Sequence, residues 1–178
     1  MSEPTLQDRF HLIGIGGAGM SVVAELLASR GATVEGSDRE ESAVLEHLRS
    51  VGVRAFVGHE ASHVDPSSVV VVSTAIREDN PELAIAHERG QRVIHRSQAL
   101  ALAASGMRFV GVAGAHGKTT TSGMLAIGLS ACGLDPSVAV GGVLPQLGTG
   151  AHLGGGDVFV AEADESDGSF LNYTPAIE

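Results

Sequence analysis

Residues 11–27 read HLIGIGGAGMSVVAELL, and the reading of these seventeen positions decides the fold. An apolar run ends in glycines spaced G-x-G-x-x-G at Gly14, Gly16 and Gly19, and an apolar helical pattern follows at once. A buried strand that turns tightly into a helix satisfies that pattern. The next apolar run, ATVEGSD, ends in Asp38, about twenty residues beyond the glycines, where a parallel sheet would bring an acidic side chain alongside them. Such a turn presents open N–H groups and the positive end of a helix to a diphosphate, and Asp38 can accept from ribose hydroxyls. A uridine diphosphate and a nicotinamide dinucleotide satisfy it equally.

Outward from this unit, apolar runs and amphipathic segments alternate along the chain, which is the signature of an α/β fold. SAVLEHLRSVG, NPELAIAHERG and SQALALAASG read as helices; VRAFVG, SSVVVVST and QRVIHR read as strands. Asn80 is a cap and Pro81 occupies the first helical turn. About five strands precede Gly106. The expected organisation is a Rossmann-like parallel-sheet domain over residues 1–106, followed by the start of a P-loop ATPase domain over 107–178.

The second domain opens with MRFVGVAG, then AGAHGKTTTS (residues 113–122) and a helix. Backbone N–H groups from Gly114, Ala115, His116, Gly117 and Lys118 can surround phosphates, the Lys118 ammonium can reach the terminal ones, and the Thr119 hydroxyl can ligate Mg2+. Val112 stands where the usual G-x-x-x-x-G-K-[ST] loop has its first glycine, so this is a shortened variant. The strand DVFVAEADESD then delivers Glu162, Asp164, Glu165 and Asp167. A Mg-nucleotide site usually takes such a carboxylate from a neighbouring strand, and Glu162 is the expected one. The glycine-rich stretch Gly141–Gly156 is expected to be a mobile loop, which leaves the second domain too few strands to be complete.

Composition excludes several classes. The chain has 178 residues, 43% hydrophobic and 18% charged, with a formal charge of −10. That charge repels a nucleic-acid backbone, and no apolar run is long enough to span a bilayer. The polar start MSEPTLQDRF lacks signal-peptide character, so a cytoplasmic location and small-molecule partners are expected. The one cysteine, Cys132, lies in an apolar helical pattern and is expected to be buried.

Two nucleotide loops of different kinds argue against a simple dehydrogenase, since hydride transfer has no use for a Lys-Thr-Mg site. They fit a reaction in which ATP activates a group on a nucleotide-linked substrate. A dinucleotide-sensing module with a non-catalytic second loop is the competing reading. HLIGIGGAGMSVVAELL, GSD, NPEL, AGAHGKTTTS, CGLDPS and FVAEADESDGSF together resemble the Mur ligases of bacterial peptidoglycan synthesis, in particular the member that adds the first amino acid. The resemblance implies that the first domain holds UDP-N-acetylmuramate and the second holds ATP and Mg2+. It further implies that the muramate carboxylate is phosphorylated to an acyl phosphate, which the amine of L-alanine attacks. Lys118 would stabilise the transferred phosphoryl group, Gly114 to Thr120 would cradle ATP, and Thr119 and Glu162 would hold the metal. In the first domain, Gly17, Ala18, Gly19, Met20 and Ser21 would meet the diphosphate, with Asp38 and the turn Ser73, Thr74, Ala75 near the uridine. Ala115 and Ser122 depart from the family's usual threonines, and the resemblance places the family's downstream metal-binding histidine, the rest of the ATPase sheet and the C-terminal domain beyond Glu178.

Overall fold

The structure, a computed structural model, describes residues 3–163 and 176–177. Its contacts divide the chain into two units, Met1–Ala103 and Ala104–Glu178.

The first unit is a five-stranded parallel sheet of strands β1 (Arg9–Ile13), β2 (Thr33–Asp38), β3 (Arg54–Val57), β4 (Val69–Val72) and β5 (Val93–His95), in spatial order β3-β2-β1-β4-β5. Its helices are α1 (Ala18–Ser29), α2 (Ala43–Ser50), α3 (Pro81–Glu88) and α4 (Arg96–Ala103). The order runs one way from β1 and the other way from β4. Right-handed crossovers therefore place α1 and α3 on opposite faces. Phe10 and Leu12 point to one face, His11 and Ile13 to the other, and all four are fully buried. Ile13 and Val70 pack with Leu83 and Ala86 of α3 and with Val64. Ser42 caps α2 by accepting from the Leu45 N–H, and Asn80 caps α3 by accepting from the N–H groups of Glu82 and Leu83. These side chains satisfy donors that helix geometry leaves open.

The second unit holds β6 (Arg108–Val112), α5 (Lys118–Ala131), β7 (Ser137–Leu144), β8 (Thr149–His152) and β9 (Val158–Glu162), in order β6-β9-β7-β8. β6, β9 and β7 are parallel and β8 is antiparallel to β7. Ile177 bridges to Val110 on β6.

Here two expectations fail. The glycine-rich stretch Gly141–Gly156 is not a mobile loop over its length: it contains the end of β7 and all of β8. Its glycines serve close packing. A Cβ on Gly150 would lie 2.5 Å from the Val140 carbonyl oxygen and 2.6 Å from that of Gly142, so the hairpin closes only with glycine there. The sheet accordingly has four strands, more than the two the sequence reading gave. Cys132 is exposed, not buried. The buried residues of α5 are Ser122, Gly123 and Ala126, and at 100° per residue Cys132, the C-cap, has rotated off that face.

Candidate functional site

In the first unit the glycine loop leaves the carboxyl end of the central strand. The N–H groups of Gly14 and Ile15 both donate to the Ser37 carbonyl, at 2.8 and 2.9 Å, so the turn is tied to the end of β2. Gly14 has φ +76°, a conformation open to glycine at little cost. The Gly16 N–H donates to Asp38 Oδ2 at 2.8 Å, and the Arg39 N–H donates to Oδ1 at 2.7 Å. A Cβ on Gly16 would come within 2.8 Å of that same carboxylate. Asp38 thus braces the loop from β2, a task the sequence reading did not assign to it.

Gly17 is the N-cap of α1, with no side chain to occupy the cap and no acidic residue in the first turn. The N–H groups of Ala18, Gly19 and Met20 consequently open from the helix start, and the Ser21 N–H is the first taken up within the helix, by Gly17. The turn after β4, holding Ser73, Thr74 and Ala75, is closed by the Ile76 N–H donating to Ser73. Ile76 packs on Gly14, its Cδ1 lying 3.2 Å from where a Cβ would stand. The structure therefore gathers Gly14 to Ser21, Asp38 and the Ser73 turn at the carboxyl edge of one sheet, where the strand order reverses and open α/β sheets take their ligands.

Two features of this edge carried no sequence signal. A Cβ on Gly19 would meet Arg96 Nη1 at 2.5 Å, so a guanidinium from the start of α4 lies against the first turn of α1. The second feature lies beneath the loop. His11, fully buried on β1, faces Glu82 Oε2 at 3.3 Å from Nε2 and Glu35 Oε1 at 3.8 Å from Nδ1. Neither ring nitrogen makes a well-aligned hydrogen bond, and the attraction is that of charge for charge. Burial pulls the His11 pKa down, but the two facing carboxylates outweigh it and leave it raised above 6.5. Burial pushes Glu82 up, yet His11, Ser37 and His59 outweigh that and hold it below 4.5. The Ser37 hydroxyl donates to Glu82 Oε2, so the residue whose carbonyl anchors Gly14 is itself held by this buried carboxylate. His59 and His63 approach the same group, at 3.5 and 3.2 Å.

In the second unit Gly117 caps α5 in the left-handed region, at φ 81° and ψ 0°. That bend aims the N–H groups of Lys118, Thr119 and Thr120 out of the helix start. Lys118 Nζ donates back across the loop to the Gly114 carbonyl at 2.7 Å, while Ala115, His116 and Gly117 form the exposed crest between them. β6 and β9 are neighbours, and Val112, the last residue before the loop, pairs with Glu162. The loop and the carboxylate therefore share one sheet edge.

Glu162 Oε1 is buried, and among the described residues it has no hydrogen-bond partner. Buried polar atoms are seldom left so, and an acceptor-only oxygen in that state fits a cation. Its Oε2 lies 3.4 Å from where a Cβ on Gly141 would stand, and Thr119 Cγ2 lies 3.2 Å from the same position on Gly142. Glycines thus line the approach from β7 to both. No group of three or more His, Cys, Asp or Glu side chains among the described residues could hold a metal unaided; Mg2+, which keeps waters and phosphate oxygens as ligands, does not need one. Asp164, Glu165 and Asp167 lie outside the described residues. The Ser122 hydroxyl, on α5, is buried.

A family profile described as Mur ligase family, catalytic domain, matches residues 9–108. The chain is 57% identical over 175 residues to UDP-N-acetylmuramate–L-alanine ligase of Streptomyces avermitilis, covering 98% of this chain and 38% of that protein. The same-named protein of Cutibacterium acnes is 51% identical over 175 residues, with 98% and 37% covered. Among solved structures, UDP-N-acetylmuramate-alanine ligase of Thermotoga maritima superposes with TM-score 0.86 at 33% identity, over 95% of this chain and 40% of that one. UDP-N-acetylmuramate:L-alanyl-gamma-D-glutamyl-meso-diaminopimelate ligase of Neisseria meningitides gives 0.88 at 29% identity, over 96% and 59%. The chain thus spans well under half the length of the curated relatives it matches.

Proposed function

The chain belongs to the Mur ligase family, and from that we propose that it forms the substrate-nucleotide unit and the opening of the ATPase unit of a cytoplasmic, ATP-dependent ligase that joins L-alanine to UDP-N-acetylmuramate. The observation that carries this reading is the presence in one chain of two glycine loops of different construction, each at the carboxyl edge of the parallel strands of its own sheet. One loop offers only backbone and a brace. The other adds a lysine and, on the adjoining strand, a buried carboxylate oxygen without a partner.

In the first unit the open amides of Ala18, Gly19 and Met20 hold the diphosphate, and Asp38 keeps the turn in shape. Uridine lies toward the Ser73 turn. In the second, the amides from Gly114 to Thr120 hold the ATP phosphates. The Lys118 ammonium, held at the loop through Gly114, follows the phosphoryl group as it passes to the muramate carboxylate, where charge stabilisation matters most. The resulting acyl phosphate is attacked by the alanine amine and phosphate leaves. Thr119 and Glu162 would hold Mg2+, which supplies charge neutralisation at the phosphates.

Thermal-shift measurements test the reading. UDP-N-acetylmuramate is expected to raise the melting midpoint of this chain and NAD to leave it unchanged; a ligand at a hundredfold excess over its Kd contributes about 2.7 kcal/mol. Equal shifts from both would favour the dinucleotide-sensing module and overturn the ligase assignment.

A further inference from the structure

We infer that Glu82 and Ser37 are positioning residues of the first site: the buried carboxylate holds the Ser37 hydroxyl, and through Ser37 it fixes the glycine loop in the shape that receives a diphosphate. The inference rests on the reading of the first glycine loop given above and deepens it by naming what sets the loop's geometry from beneath.

The loop meets β2 at three successive residues. Ile15 Cδ1 lies 2.8 Å from where a Cβ on Gly36 would stand, the Ser37 carbonyl accepts from both the Gly14 and Ile15 N–H groups, and the Asp38 carboxylate accepts from the Gly16 N–H. Ser37 is also held through its side chain from a different element. It pairs with Ile13 across β1 and β2, so both side chains point to the α3 face, where the Ser37 hydroxyl donates to Glu82 Oε2.

Donor accounting gives the direction of this relay. A carboxylate only accepts and a serine hydroxyl carries one proton, so with that proton directed at Glu82, His59 Nδ1, 2.8 Å from the Ser37 oxygen, must be the donor to it. The chain runs from His59 Nδ1–H to the Ser37 hydroxyl to Glu82. The carboxylate's other oxygen, Oε1, accepts from the Glu60 N–H at 3.3 Å and from His63 Nδ1 at 3.2 Å. Glu82 thus ties the segment after β3 and the first turn of α3 to the one residue whose carbonyl anchors the loop. Burial raises the Glu82 pKa, but His11, Ser37 and His59 outweigh it and keep the group below 4.5, in the charged state the relay needs. Stability alone does not account for these residues. A buried ion pair gains little over apolar side chains of the same volume, and Ile13, Val70, Leu83 and Ala86 pack beside it without charge. An apolar side chain at position 82 would leave the Ser37 hydroxyl unheld and the end of β2 free to shift, with the two loop amides following it.

NMR titration of this chain with UDP, and with uridine as the control without phosphates, tests the assignment. Ser37→Ala removes the hydroxyl and keeps the carbonyl. It is expected to weaken UDP binding about threefold to tenfold, the range of a lost hydrogen bond, to leave uridine binding unchanged, and to speed amide exchange at Gly14 and Ile15 more than at Phe10–Leu12. A merely structural hydroxyl would lower the melting midpoint and leave the folded protein's affinity for UDP where it was; that result overturns the proposal and leaves the loop reading intact. An equal loss for UDP and uridine would overturn it too, as a general disturbance of the sheet edge. Glu82→Gln, measured well below its melting midpoint, should reproduce the loss confined to UDP, and UDP affinity equal to the parent's would remove Glu82 from the relay. The nitrogen resonances of the His59 ring give an independent check: Nδ1 is expected to carry a proton, and a bare Nδ1 would mean that Ser37 donates to His59 instead of Glu82, which breaks the relay. Failure of the parent chain to bind UDP would sink the loop reading itself, and the proposal with it. Should Ser37→Ala unfold, Ser37→Cys decides, because a thiol keeps the shape of the side chain and is a weaker donor: a loss confined to UDP would uphold the proposal, and UDP affinity identical to the parent's would overturn it.

Discussion

Replacing Glu82 with glutamine tests whether the buried cluster beneath the first loop is held by charge. Glu82 is fully buried; its oxygens face His11 at 3.3 Å and His63 at 3.2 Å and accept from Ser37. Removing one partner of a buried ion pair costs about 3–5 kcal/mol. Glu35 remains 3.8 Å from His11, which places the expected loss at the lower end, about 3 kcal/mol. For a unit of this size that lowers the midpoint by roughly 12–24 °C.

The pH dependence has a definite sign. His11 has its folded pKa raised above 6.5, so its contribution is complete below that value and is lost as pH rises through the raised pKa. Glu82 has its folded pKa lowered below 4.5, so its contribution is complete above 4.5 and is lost as pH falls through the lowered one. The gap between parent and Glu82→Gln should therefore be widest between 4.5 and 6.5, and should narrow on the alkaline side. Thermal melts across this range, with hydrogen exchange at Phe10–Ile13 reporting on β1, measure it. A gap that stays constant from about pH 5 to about pH 9, or one under about 1 kcal/mol, would refute the argument from charge.

Lys118→Ala in the full-length protein should cut turnover by roughly a hundredfold or more, from a barrier raised by about 3 kcal/mol, with UDP-sugar affinity unchanged by titration; activity within a few-fold of the parent would remove Lys118 from phosphoryl transfer. Glu162→Ala should raise the Mg2+ concentration needed for half-maximal activity, and an unchanged requirement would pass the metal to a neighbouring carboxylate. Gly150→Ala should destabilise the second unit by about 1–3 kcal/mol, read as faster amide exchange at Val138–Val140. Exchange there as fast in the parent as in an unstructured peptide would contradict the hairpin.

What the sequence showed, and what it hid, follows from the range of the interactions. The alternation of strand and helix, the cap at Asn80 and the turn at Gly14 depend on residues within a few positions of one another, and periodicity with turn chemistry reveals them. The strand character of Gly141–Gly156 was missed because glycine has two meanings: in isolation it marks freedom, but at Gly150 it marks two carbonyls, those of Val140 and Gly142, too close for any side chain. The contact between Gly19 and Arg96 spans most of the first unit and has no local signature. Nor does the cluster of His11, Glu35 and Glu82. His11 and Glu35 lie in runs that read simply as buried strand, and their charges are tolerable there only because β1 and β2 pair in register, His11 beside Glu35. The glycine motif located the first site, while the charges that tune it come from strand order.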